Sequence, residues 1–172
     1  MNLLEAGFAV LSRNPGASLA DVAQAAGVGR ATLHRHFSSR SDLVTALARQ
    51  AMRELAEAVD TATADAESYW DGLRLAMQAV VPLAHRHMFL MRDENLSPDV
   101  EAAFAQDARE LRDTIDAAKA EGAIRADLPT EGVALAYDYL IYAGWEMVRR
   151  DEATPRQAAD LAWTMFAKGA AL

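Results

Sequence analysis

Ser18-Leu-Ala-Asp-Val-Ala-Gln-Ala-Ala-Gly-Val-Gly-Arg-Ala-Thr-Leu-His-Arg-His-Phe-Ser-Ser-Arg-Ser-Asp42 reads as two short helices joined by a glycine turn, with positive charge collected on the second. The Ser18 hydroxyl is placed to accept an orphan backbone N–H, and Asp21, three residues on, completes a capping-box-like pair. Leu19, Val22, Ala23 and Ala26 fall at i, i+3, i+4 and i+7, which makes one face apolar. Gly27 follows the last apolar position, where a left-handed residue ends a helix and glycine adopts that conformation without steric cost. After Gly27-Val28-Gly29 the pattern predicts a second helix from about Arg30 to His36, with Leu33 and Phe37 turned inward. Ala23 is small where the two helices would cross, as a helix-turn-helix requires.

The outward face of the second helix then carries Arg30, Ala31, Thr32, His34, Arg35 and His36, donors and small groups without a carboxylate. Such a helix suits the major groove, where arginine pairs bidentately with guanine and small side chains meet the thymine methyl. Ser39 and Asp42 cap the next helix, so that its first turn and Arg40 would face a phosphate. The competing reading is an ordinary helical hairpin with solvated arginines.

A net charge of −8 argues by itself against a nucleic-acid binder, but the average conceals two unlike halves. Residues 1–53 hold six arginines against three acids, a net of +3, while residues 54–172 hold eleven bases and twenty-two acids, a net of −11. A basic head on an acidic body still binds phosphate locally, because the Debye length is only about 8 Å at physiological salt.

Leu19 to Leu43 resembles the DNA-binding domain of the tetracycline-repressor (TetR) family of bacterial transcriptional regulators, and the match extends over residues 3 to about 50. The resemblance implies base and phosphate contacts by Arg30, Ala31, Thr32, His34, Arg35 and His36, with Ser18 and Arg40 matching the flanking backbone contacts. His34 departs from the pattern, standing where a tyrosine is common, and the chain starts almost inside the first helix without the usual basic arm. Beyond residue 50 only size and helical character are similar.

The expected fold is therefore all-α, with an N-terminal three-helix helix-turn-helix domain over residues 1–45 and a helical effector-binding and dimerisation domain over residues 46–172. At 52% hydrophobic residues with abundant alanine, the composition favours helices over sheet. No window approaches the roughly 18 uncharged apolar residues of a membrane-spanning helix, and no secretory signal is evident, so a cytoplasmic location is expected. Zero cysteines exclude disulfides and thiolate chemistry.

The helix opened by Ser39 is expected to run to about Thr61, joining head to body. Trp70, Leu73, Met77, Val80 and Val81 mark another, with Pro82 expected to kink it. Ser97-Pro98 is an N-cap with proline at the first helical position, opening a helix that carries Val100, Phe104, Leu111 and Ile115 and ends near Gly122. Residues 130–149 are apolar on nearly every side, which predicts a helix buried all round. Thr154, Pro155 and Gln157 form a capping box that launches a last helix, where Leu161, Ala162, Trp163, Met165 and Phe166 exceed one face. The surplus apolar surface calls for a partner. The resemblance implies that helices of about 130–149 and 155–169 pair with their copies in a homodimer, and two half-sites one helical turn apart demand a two-fold pair. A monomer with a thick C-terminal core is the alternative.

Trp70, Met77, Met88, Phe89, Met91, Phe104, Tyr137 and Trp145 are candidates to line an effector cavity between body helices, although each taken singly reads more readily as core than as ligand contact. His85 and His87 flank Arg86, but His-x-His sets the imidazoles about 200° apart on a helix, which disfavours a shared metal. No cofactor is expected. No phosphate loop, nucleophile elbow or His-Glu-x-x-His supports an enzyme. The expected partners are double-stranded operator DNA and a small-molecule effector, with repression and the effector implied by the family alone. An alternative is a helix-turn-helix protein that acts mainly on other proteins, as adaptor or co-activator.

Overall fold

The structure, a computed structural model, describes residues 2–83 and 97–171. Among these are eight α-helices and no strand: α1 Leu3–Arg13, α2 Leu19–Ala26, α3 Arg30–His36, α4 Arg40–Thr63, α5 Tyr69–Val80, α6 Pro98–Ala120, α7 Thr130–Arg149 and α8 Pro155–Ala170. The all-α expectation is borne out. The described residues form two compact units, one holding residues up to 53 together with 97–102, the other holding 54–83 and 103–171. Both α4 and α6 run unbroken across that division, and residue 45 falls inside α4.

In the first unit the core is Ala6, Phe8 and Leu11 of α1, Val22 and Ala23 of α2, Leu33 of α3, and Leu43, Val44, Leu47 and Ala48 of α4. Gly7 admits the close approach of α4, since a Cβ there would lie 3.0 Å from a Leu47 methyl. In the second unit one cluster joins Leu73, Met77 and Val81 to Ile115, Ala118, Val133, Tyr137, Ala158, Ala162 and Phe166. A small residue works here as well: the position a Gly144 Cβ would take is 3.4 Å from the Ala158 carbonyl oxygen and from a Val81 methyl.

Regular α-helix gives way at Pro82. Helix α5 stops at Val80 and the chain tightens into a 3₁₀ turn, Val81–Leu83, beyond which the residues lie outside those described. A proline lacks the N–H for an i→i−4 bond and its ring crowds the preceding turn, so shorter-range bonding takes over. Ser68 caps α5 by accepting the Asp71 N–H at 3.1 Å, a start absent from the sequence expectations although Ser-x-x-Asp is its ordinary signature. Gly122 and Thr154 behave as expected, Gly122 turning left-handed with φ of 77° and Thr154 forming a full capping box with Gln157; α6 starts at Pro98 as expected, but the Ser97 hydroxyl, expected to cap it, is buried without a hydrogen-bond partner.

Helix α7 is not buried all round within one chain. Val133, Ala134, Tyr137, Gly144 and Trp145 face the core, but Leu135, Tyr139 and Tyr142 are exposed, Tyr139 by 68%. On α8 the same holds for Leu161 and Met165. The apolar surplus seen in the sequence is real, and much of it lies outside the subunit's own core.

Candidate nucleic-acid interface

The helix-turn-helix is built from local bonds that the sequence specifies. The Ser18 Oγ accepts the Asp21 N–H at 3.3 Å, and the Ser18 N–H donates to the Asp21 carboxylate at 2.8 Å. These bonds to Ser18, with the more distant Arg30 charge, hold the Asp21 carboxyl below its ordinary value. At the other end Gly27 takes φ of 70°, and the Val28 N–H reaches back to the Ala23 carbonyl at 3.0 Å, closing α2 in a Schellman-like turn. Helix α3 follows at once, with Gly29 as its uncapped N-terminal neighbour.

Leu33 is the one buried side chain of α3 and pins the helix to its unit, while Phe37, half-buried, lies at the C-cap. Around that anchor Arg30, Ala31, His34, Arg35 and His36 are exposed and Thr32 is half-buried. The six expected residues therefore share one short helix, and no acid stands in it. Helix α4 opens on a second box: the Asp42 N–H donates to Ser39 Oγ at 3.1 Å, the Ser39 N–H donates to the Asp42 carboxylate at 3.1 Å, and the Ser38 hydroxyl also donates to Asp42.

Arg40, expected at a phosphate, is found on the protein. Its Nε donates to the Ala17 carbonyl at 3.3 Å and its Nη2 to the Pro15 carbonyl at 2.5 Å. A second long-range contact missed from sequence joins Arg49 of α4 to Asp99 in the first turn of α6 at 2.7 Å. The Arg49 guanidinium holds the Asp99 carboxyl down at about 2.

The chain matches the family described as "Bacterial regulatory proteins, tetR family" over residues 3–47, the stretch from α1 into α4. It is 28% identical over 170 residues to the HTH-type transcriptional repressor LfrR of Mycolicibacterium smegmatis, covering 97% of this chain and 87% of that protein. The match over the helix-turn-helix and the likeness to this repressor indicate a TetR-family transcriptional regulator. The crystal structure of LfrR in complex with proflavine superposes on this chain with a TM-score of 0.77 at 27% identity, over 97% of this chain and 94% of that one. AibR in complex with isovaleryl coenzyme A and operator DNA shares the fold, with a TM-score of 0.82 at 18% identity and 95% of each chain covered. The match over residues 3–47 and the likeness to a repressor along nearly the whole chain support one function class, a DNA-binding transcriptional regulator.

Of the candidate effector residues, Trp70, Met77, Phe104, Tyr137 and Trp145 fall in the second unit. Trp70, Met77 and Tyr137 belong to one core cluster, in which the Trp70 ring centroid lies 4.7 Å from Trp163 and 5.9 Å from Phe166, and Tyr137 meets Phe166 edge-on at 5.3 Å. The Tyr137 hydroxyl donates to the Leu73 carbonyl at 2.7 Å, and burial pushes its pKa well above the usual tyrosine value. Trp145 is buried beside Tyr142, and Phe104 is half-buried on α6. Met88, Phe89 and Met91, like His85, Arg86 and His87, lie outside the described residues. Asp138, exposed as a residue, has its carboxyl raised to about 6 by partial desolvation and secondarily by Glu131. Among the described residues no group of three or more His, Cys, Asp or Glu could hold a metal ion, and no helix is long and apolar enough to cross a membrane.

Proposed function

We propose that the protein is a homodimeric repressor whose two copies of α3 enter successive major grooves, roughly 34 to 36 Å apart, and that a small-molecule effector releases it. The observation that carries this is the acid-free outer face of α3, held by Leu33 and framed by the Ser18–Asp21 and Ser39–Asp42 boxes. Arg30, Ala31, Thr32, His34, Arg35 and His36 read base edges and adjoining phosphates, with Ser18 at the flanking backbone. Residues 1–45 act as the DNA-binding domain and residues 46–172 as the effector-binding and dimerisation domain, in a cytoplasmic protein. The exposed Leu135, Tyr139 and Tyr142 of α7 and Leu161 and Met165 of α8 supply the dimer face.

That related regulators hold proflavine or isovaleryl coenzyme A supports an effector here, in the second unit, near Trp70, Met77, Phe104, Tyr137 and Trp145, with Met88 and Phe89 as further candidates. Because Met77 is fully buried and Tyr137 is tied to Leu73, an effector that uses them displaces core side chains. Linkage makes the release reciprocal: operator must weaken effector binding by the factor by which effector weakens operator binding.

Selection of bound duplexes from a random pool tests the proposal. It should return a two-fold symmetric site, with log affinity falling linearly as log salt rises, and Arg30→Ala or His34→Ala should change the preferred bases. A pool that yields no enriched sequence sinks it.

A further inference from the structure

We infer that Arg40 is a positioning residue for the recognition helix: its guanidinium closes the helix-turn-helix at its base and governs DNA affinity through the pose of α3. The inference rests on α3 being the DNA-reading element. Arg40 is the first residue of α4, shortly after the end of α3 at Phe37, and among its acceptors are the carbonyls of Pro15 and Ala17, in the loop that leads into Ser18, the N-cap of α2. The whole span 18–39, meaning α2, the glycine turn and α3, is thus tied end to end by one side chain.

The loop that Arg40 grips has few other restraints. Pro15 has no N–H to give, the Gly16 N–H goes to the Asn14 side chain at 3.1 Å, and the Ala17 N–H goes to the Asn14 carbonyl at 3.0 Å. Those bonds shape the loop internally, whereas the Arg40 bonds link it to the far side of α3. A planar guanidinium with several donors in a fixed fork can serve carbonyls two residues apart at once, while a lysine ammonium is a point charge on a flexible stem. Donors spent on backbone carbonyls also compete with any phosphate for the same group. Loosening the tie lets α3 sample poses that miss the groove, and apparent affinity falls with the fraction of molecules that remain competent.

The test uses the full chain, Arg40→Lys and Arg40→Gln, each measured twice. In the free protein, amide exchange at Gly16, Ala17 and Ser18 should quicken in both variants, a readout that needs no DNA. On the selected duplex, both should lose affinity by a similar factor, about five- to tenfold, with the slope of log affinity against log salt unchanged. A phosphate contact behaves otherwise: Arg40→Lys would keep wild-type affinity, and Arg40→Gln would lower the slope by about one. Either of those results, or unchanged exchange in the loop, overturns the inference. Quickened exchange in a protein that selects no duplex leaves the tie standing and removes the DNA reading instead.

Discussion

Leu33 and Asp99 stand at opposite ends of what a single position discloses. Leu33 sits four residues before Phe37 in an otherwise polar helix, so its burial follows from local periodicity, and truncating it would cost on the order of 3 kcal/mol by leaving a cavity under the recognition helix. Asp99 owes its chemistry to Arg49, fifty residues away, and no local pattern announces the pair. Its carboxyl is held at about 2 against an ordinary 3.8, chiefly by the Arg49 bond. A carboxylate lowered in the folded state contributes stability that is present above its unfolded value and is lost as pH falls through the folded one. Because both side chains are about half exposed, water and salt screen the pair and its effect on melting should be small. The direct readout is therefore the carboxyl chemical shift: Asp99 should titrate near 2 in the wild type and return toward 3.8 in Arg49→Gln. A wild-type midpoint at the ordinary value would show that the pair does not form in solution.

At the scale of elements, helix starts and stops are the most legible part of the fold, since each is written within four residues. Ser18, Ser39 and Thr154 all cap as their spacing to Asp21, Asp42 and Gln157 implies. Pro82 is harder, because proline forbids one bond without saying what replaces it, and here a 3₁₀ turn with Val81 buried takes over. Gly27 offers a clean test of turn chemistry. With φ at 70° and no atom within 4 Å of the position a Cβ would take, a side chain there meets open space, so any penalty comes from the backbone conformation alone. Gly27→Ala should lose about 1 kcal/mol by thermal or denaturant unfolding, and Gly27→Asn should lose less because asparagine tolerates the left-handed region. Equal stability of the alanine variant and the wild type would mean that the turn between α2 and α3 is not held as described.

For the whole molecule, the sequence announces an apolar surplus in the last two helices but cannot divide it between the chain's own core and a partner. Periodicity registers that a side chain is apolar; it carries no information about which chain covers it. The structure makes the division: Tyr137, Trp145, Ala162 and Phe166 face inward, while Leu135, Tyr139, Tyr142, Leu161 and Met165 remain exposed. Large apolar side chains gathered on the outer faces of two neighbouring helices are what an interface core requires, and a stable pairing would cover about 800 Å² on each partner. Placing a carboxylate at two of these positions, Tyr139→Glu with Met165→Glu, puts uncompensated charge into that covered surface without touching a buried residue of the subunit. Sedimentation should then report a monomer whose helical content matches the wild type. Affinity for a duplex carrying one half-site should be unchanged, whereas affinity for the two-half-site operator should drop to the single-site level, because the second contact no longer benefits from being tethered to the first. A variant that still sediments as a dimer would place the subunit interface elsewhere, and one that stays monomeric yet binds the full operator as tightly as the wild type would remove the need for a two-fold pair.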